Sequence, residues 1–160
     1  MSLFTRFDAT MQIQYDDRAS RALGADHWRV TQGFRFYVGS LGSDEWFTVP
    51  AGFLTDGMSA PRIAWSLVPP WGRGGQAAAG HDLLCEYLST VKSGRIQPIT
   101  RKRADDIFLE MLTVLDVPER QWIYAAVRGY AVAKRSKDPS TIALKRQLEA
   151  EWIDATARET

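Results

Sequence analysis

One histidine and three aspartates carry the most reactive chemistry in this chain: His81 next to Asp82, with Asp105 and Asp56 in neighbouring segments. An imidazole among carboxylates has two chemical uses. It can take a proton as a general base while a carboxylate holds the ring. It can also help to hold a divalent ion that keeps one position open for a water, which then becomes the nucleophile. His81, Asp82, Asp56 and Asp105 are therefore the candidate catalytic residues. His81, Asp82 and Asp56 are the candidate ligands of a divalent metal ion, the one cofactor the pattern calls for. Ser59 adds a nucleophile or binding group, although no Gly-x-Ser-x-Gly elbow is present. The other histidine, His27, opens a different segment. Cys85 lies one helical turn from His81 on an apolar face, where a free cysteine is normally packing.

The same residues have a third use, as a buried polar network. His81 shares a helix face with Ala77, Leu84, Cys85 and Leu88, so it looks into the protein. The run Ala77-Ala78-Ala79-Gly80 removes bulk one turn earlier and lets another element approach. In the next helix the apolar face is Ala104, Ile107, Phe108, Met111, Leu112 and Leu115. Asp105 flanks that face, whereas Asp106 lies opposite it beside Lys102 and Arg103. The helix after that is apolar nearly all round and is expected to be buried. Arg128, the one charge between Gln121 and Ala133, is costly there unless carboxylates neutralise it. The expected network has Asp82 and Asp105 pairing with Arg128, and His81 tying the loop at Asp56 to the helices.

Those residues have to be positioned by a loop and by helices. Pro50 to Gly75 holds four of the seven prolines, and long ordered loops are often functional. Within it Asp56-Gly57 favours a tight turn, and Pro61 biases Ala60 towards an extended backbone. The loop thus presents Asp56, Ser59 and Arg62. Trp71-Gly72-Arg73-Gly74-Gly75 reads as an exposed tip that would meet a partner or a glycan. Ser59, Arg62, Arg128, Trp71 and Arg73 are the candidate binding residues.

Before the loop, aromatic and β-branched runs separated by short turns predict strands over Met11–Tyr15, Trp28–Thr31, Phe34–Val38 and Trp46–Val49. After it, helices are predicted over Gln76–Leu88, Thr100–Leu115, Pro118–Lys134 and Pro139–Thr156, with Thr100 and Asp138 as N-caps. Strands followed by helices give an α+β fold: a small antiparallel β-sheet, a long ordered loop and a bundle of three to four helices. The last helix carries Ile142, Leu144, Leu148, Trp152 and Ile153, a face that packs on its own domain or docks a neighbouring subunit.

The 160 residues suit one domain, 1–160, and are 45% apolar and 24% charged, the balance of a folded protein. A net charge of +1 gives no reason to expect nucleic acid as a partner. With Cys85 as the lone cysteine, no internal disulfide can form. The first residues lack a signal-peptide pattern, and no window approaches the ~18 apolar residues of a membrane span. Synthesis in the cytoplasm is the expectation, and a transmembrane segment is not.

Four motifs in order carry a resemblance. They are Val49-Pro50-Ala51-Gly52-Phe53-Leu54-Thr55-Asp56-Gly57-Met58-Ser59-Ala60-Pro61-Arg62, Ala78-Ala79-Gly80-His81-Asp82-Leu83-Leu84, Arg103-Ala104-Asp105-Asp106-Ile107-Phe108 and Tyr124-Ala125-Ala126-Val127-Arg128. Together they resemble a small phage and prophage family, the domain of unknown function thirteen fifty-three, over roughly Thr31 to Tyr130. The family pattern has Ala-Ser-Ile-Pro after Asp-Gly, where this chain has Met58 and Ala60 at two of the places. It also has a tyrosine-containing run after His-Asp, where this chain has Leu83-Leu84-Cys85 and so no phenol. Asp56, Ser59, Arg62, His81, Asp82, Asp105 and Arg128 all match.

The resemblance implies a phage or prophage setting and no defined activity. The expectation is an accessory virion protein, tail-associated, whose partners are other phage structural proteins or further copies of itself. It would be made in the host cytoplasm and carried in the virion. The alternative is a hydrolase centred on His81 and Asp82 that acts on peptidoglycan as a phage enters or lyses the cell. The helix from 138 to 157 lies outside the resemblance.

Overall fold

The computed structural model describes residues 6–57, 72–133 and 139–159. Ser59, Arg62 and Trp71, the N-cap expected at Asp138, and most of the expected loop lie outside the described residues. The described residues form seven strands in two antiparallel sheets and five helices. The fold is α+β as expected, but with two small sheets in place of one.

β1 (Gln12–Tyr15) pairs with β2 (Trp28–Gln32) on either side of an inserted helix, α1 (Asp17–Leu23). The sequence reading missed α1. Its start is fixed by the Asp16 carboxylate, which accepts from Ala19 N at 2.8 Å, and Gly24 ends it in the left-handed region. β2 also pairs with β5 (Leu54–Thr55), a strand too short for periodicity to reveal. The second sheet runs β3 (Phe34–Tyr37), β4 (Glu45–Val49), β6 (Ser89–Lys92) and β7 (Arg95–Pro98). The β6–β7 hairpin was also missed. It turns on Ser93-Gly94, both at positive φ, as a two-residue hairpin turn requires.

The two sheets meet at Gly33. A Cβ there would stand 2.2 Å from the Val49 carbonyl, so only glycine permits this close passage of backbone. Alternation puts Phe34, Phe36, Phe47 and Val49 on the buried face of the second sheet. Against that face packs α2 (Gly75–Tyr87), and against α2 packs α3 (Arg101–Val114). The small run in α2 makes this possible: a Cβ on Gly80 would meet Met111 Sδ at 2.9 Å and Phe47 Cζ at 3.2 Å. The Thr100 hydroxyl caps α3, accepting from Arg103 N, as its sequence predicts.

α4 (Arg120–Ala133) corrects an expectation. Its apolar composition suggested a buried helix, yet Trp122 is 64% exposed and Ile123 is the buried residue among its described side chains. It lies at the surface, held by Ile123 and Val127 against the core and by hydrogen bonds to α3.

α5 (Pro139–Glu159) packs on its own chain, through charges as much as through its apolar side chains. Lys145 and Glu149 are buried while Leu144 and Ile153 are exposed. Lys145 Nζ lies 2.9 Å from Glu86 and 3.0 Å from Glu149, and 4.0 Å from the Phe53 ring centroid. Glu149 also accepts from Leu54 N at 2.8 Å. Arg29 binds Asp16 and donates to the carbonyls of Gly52 and Leu148. No described helix is long and apolar enough to cross a membrane.

Candidate functional site

The central residue is Asp105, on the first half of α3 and without exposed surface. Its Oδ1 accepts from His81 Nε2 at 2.6 Å and from Arg101 Nε at 3.0 Å, and its Oδ2 accepts from Arg128 Nη1 at 2.7 Å. One carboxylate thus ties α2, α3 and α4 together. His81 lies on α2, mostly buried, with its ring stacked on Phe108 at a centroid distance of 4.4 Å. Arg101 reaches back by i,i+4 spacing, and Arg128 reaches across from α4.

These contacts set the protonation states. Burial alone would raise the Asp105 pKa. The donors from His81, Arg128 and Arg101 outweigh it and hold the carboxyl at about 2. For His81, burial comes first and pushes the imidazole below its ordinary 6.5. Arg101 adds to that, and Asp105 opposes it without reversing it. At neutral pH the ring is therefore uncharged, with its proton on Nε2 facing the ionised carboxylate. Cys85 Sγ lies 3.3 Å from that same nitrogen. Because Nε2 is already a donor to Asp105, it cannot take the thiol proton.

Asp82 looks elsewhere. Its Oδ2 accepts from Thr55 Oγ1 at 2.9 Å and from Asp56 N at 3.3 Å, and Thr55 Oγ1 in turn accepts from Gly57 N. The adjacent His81 and Asp82 thus serve two different contacts, roughly 100° apart on the helix. Asp82 rather than His81 fastens the turn at Asp56 to the helices, and Arg128 is paired with Asp105 rather than with Asp82. Arg73 donates to the Asp116 carbonyl at the end of α3, and Gly74 and Gly75 are buried, so the expected exposed tip is anchored at this end.

Among the described residues the imidazole, thiol and carboxylate ligand atoms that converge are those of His81, Cys85 and Asp105, which lie within 4.8 Å of one another. His81, Asp82 and Asp56 do not form such a group among the described residues. The converging set suits a divalent cation poorly. Asp105 has committed its oxygens to two guanidiniums and an N–H, and a dication would have to share them with those positive charges.

Residues 20–127 match the family described as Protein of unknown function (DUF1353). The chain belongs to this family. No curated protein and no solved structure matches it. The matched span of this DUF1353 member holds Asp56, His81, Asp82 and Asp105 and ends one residue before Arg128. It leaves out α5.

Arg101 was missed as a site residue because it sits in the basic run Arg101-Lys102-Arg103 at a helix start. The signal that could have found it is its i,i+4 spacing to Asp105. Asp106 lies opposite the apolar face of α3, as its helical phase predicts. It is part-exposed, but it binds Lys102 and accepts from Tyr124 at 2.6 Å, which gives α4 a second tie to α3.

His81 also predicts a pH dependence. Its proton affinity is lower folded than unfolded, so its contribution to stability is complete above pH 6.5 and is lost as pH falls through the lower, folded value. Asp105, also lowered, gives up its own contribution only further down, between its ordinary 3.8 and about 2. Urea midpoints should therefore decline from about pH 6.5 downwards, and His81→Gln should flatten that first decline while leaving the more acidic one.

Proposed function

We propose that this protein is an accessory component of a phage or prophage virion, associated with the tail, that works through protein contacts. The phage setting comes from the family resemblance. The observation that supports a non-catalytic role is the closure of the polar cluster: Asp105 has no exposed surface, and its oxygens are taken by three donors on three helices. The most reactive residue set in the chain is used to join those helices. A hydrolase built on His81 has less support. The carboxylate that would strengthen such a base is already neutralised by two guanidiniums, and burial lowers the affinity of the ring for a proton.

Density-gradient sedimentation of phage-producing lysates tests this reading. A tagged chain should travel with the particles, and His81→Gln or Asp82→Asn should do so in proportion to how much folded protein remains. A chain that stays with the soluble proteins would sink the proposal, most decisively if it also degrades purified peptidoglycan and loses that activity in His81→Gln.

A further inference from the structure

A groove of about 420 Å³ lies between β4, β6 and β7 on one side and the C-terminal end of α2 and the middle of α5 on the other. It exists because the sheet splays. β4 pairs with β3 through Val49 but with β6 only at Glu45 and Trp46, so its last residues part from β6. Trp46, Phe53, Leu83, Tyr87, Ile96 and Ile153 line the opening. Trp46, Val91 and Ile96 are aligned across three strands by register, which puts them on one face. Ile96 is 78% exposed, Tyr87 47% and Ile153 46%, three of the large apolar side chains the fold leaves in water. Gathered in one concavity of this size, they have the character of a ligand pocket.

Charge at the rim narrows the ligand class. The Arg35 guanidinium lies 3.6 Å from the Trp46 ring centroid and donates to Thr48 Oγ1; both residues line the groove. Among the described residues Arg35 is in no ion pair. At the opposite end Arg146 lies over Tyr87, but Glu86 already balances it at 3.5 Å. The one carboxylate in the lining, Glu149, is neutralised by Lys145. The groove therefore offers an apolar trough with one available cation at its Trp46 end. We propose that it binds an aliphatic chain carrying a single carboxylate, with the chain along Trp46, Ile96 and Tyr87 and the headgroup on Arg35. This site is independent of the virion contacts proposed above.

Titration of the purified protein with dodecanoate, below its micelle concentration and followed by amide and indole NMR shifts, tests the assignment. Dodecanoate should bind one saturable site and move the Trp46 indole and Ile96 amide resonances. Dodecyltrimethylammonium, with the same chain and the opposite charge, should bind about tenfold more weakly, and acetate should not bind detectably. Arg35→Gln should remove the preference for the anion, and Ile96→Asp, at an exposed position that leaves the fold intact, should abolish binding. Equal affinity for the two amphiphiles, or shifts unaltered by both substitutions, would overturn the proposal. So would a concentration-dependent dimer in sedimentation that Ile96→Asp dissolves, because a second copy would then be the occupant.

Discussion

Asp105→Asn should lower the unfolding free energy by about 3 kcal/mol, the lower end of what removing one partner from a buried ion pair costs. The reason is what stays behind. Arg101 and Arg128 lose their common counter-ion, and the His81 N–H loses a charged acceptor. The two guanidiniums are 39% and 31% exposed and can turn towards water, which places the loss at the lower end. In a chain of this size the change corresponds to a fall in Tm of about 10 °C. Arg128→Met in the same background should cost little more, because the partner that Arg128 served is already gone. If the two substitutions instead prove additive in urea unfolding, the three helices are not joined through one carboxylate.

Lys145→Met should cost about as much, ~3 kcal/mol or more, although it lies in the helix outside the family match. Glu149 would be left buried with no cation and only the Leu54 N–H donating to it, and Glu86 would keep only the longer 3.5 Å contact to Arg146. Leu144→Ala, one residue earlier, should cost less than about 1 kcal/mol because Leu144 is already part-exposed. An apolar substitution costing more than the charged one would show that α5 docks by hydrophobic burial. The predicted order instead makes this helix, which the family match does not include, part of the folded unit.

How much of this was legible in the sequence follows from where each signal resides. The long helices α2 and α3 were readable because their apolar periodicity extends over several turns and Thr100 marks a start. Asp105 was separable from Asp106 by helix phase alone. β5 and the β6–β7 hairpin were not readable, since two to four residues do not establish a period and Ser93-Gly94 is a weak turn signal beside Asn-Gly. α4 differs from its expectation because composition says a helix is apolar, not that a partner covers it; Trp122 is 64% exposed. In α5 the apolar residues drew attention away from Lys145 and Glu149, whose burial depends on Glu86 and Leu54, far away in sequence. The sequence groups His81, Asp82, Asp56 and Asp105 as one set, and the structure divides that set into two contacts. Adjacent residues on a helix point in different directions, and only the tertiary packing shows that His81 meets Asp105 while Asp82 meets Thr55.

The central claim is that His81 and Asp105 form a closed structural pair rather than a free base or a metal site. The ¹⁵N resonances of the His81 ring test it most directly, and with His27 as the one other histidine the assignment is tractable. The account predicts a neutral ring protonated on Nε2, a titration midpoint below 6.5, and no change when Zn²⁺ is added. A midpoint above 6.5, or a shift of Nε2 on adding Zn²⁺, would contradict it.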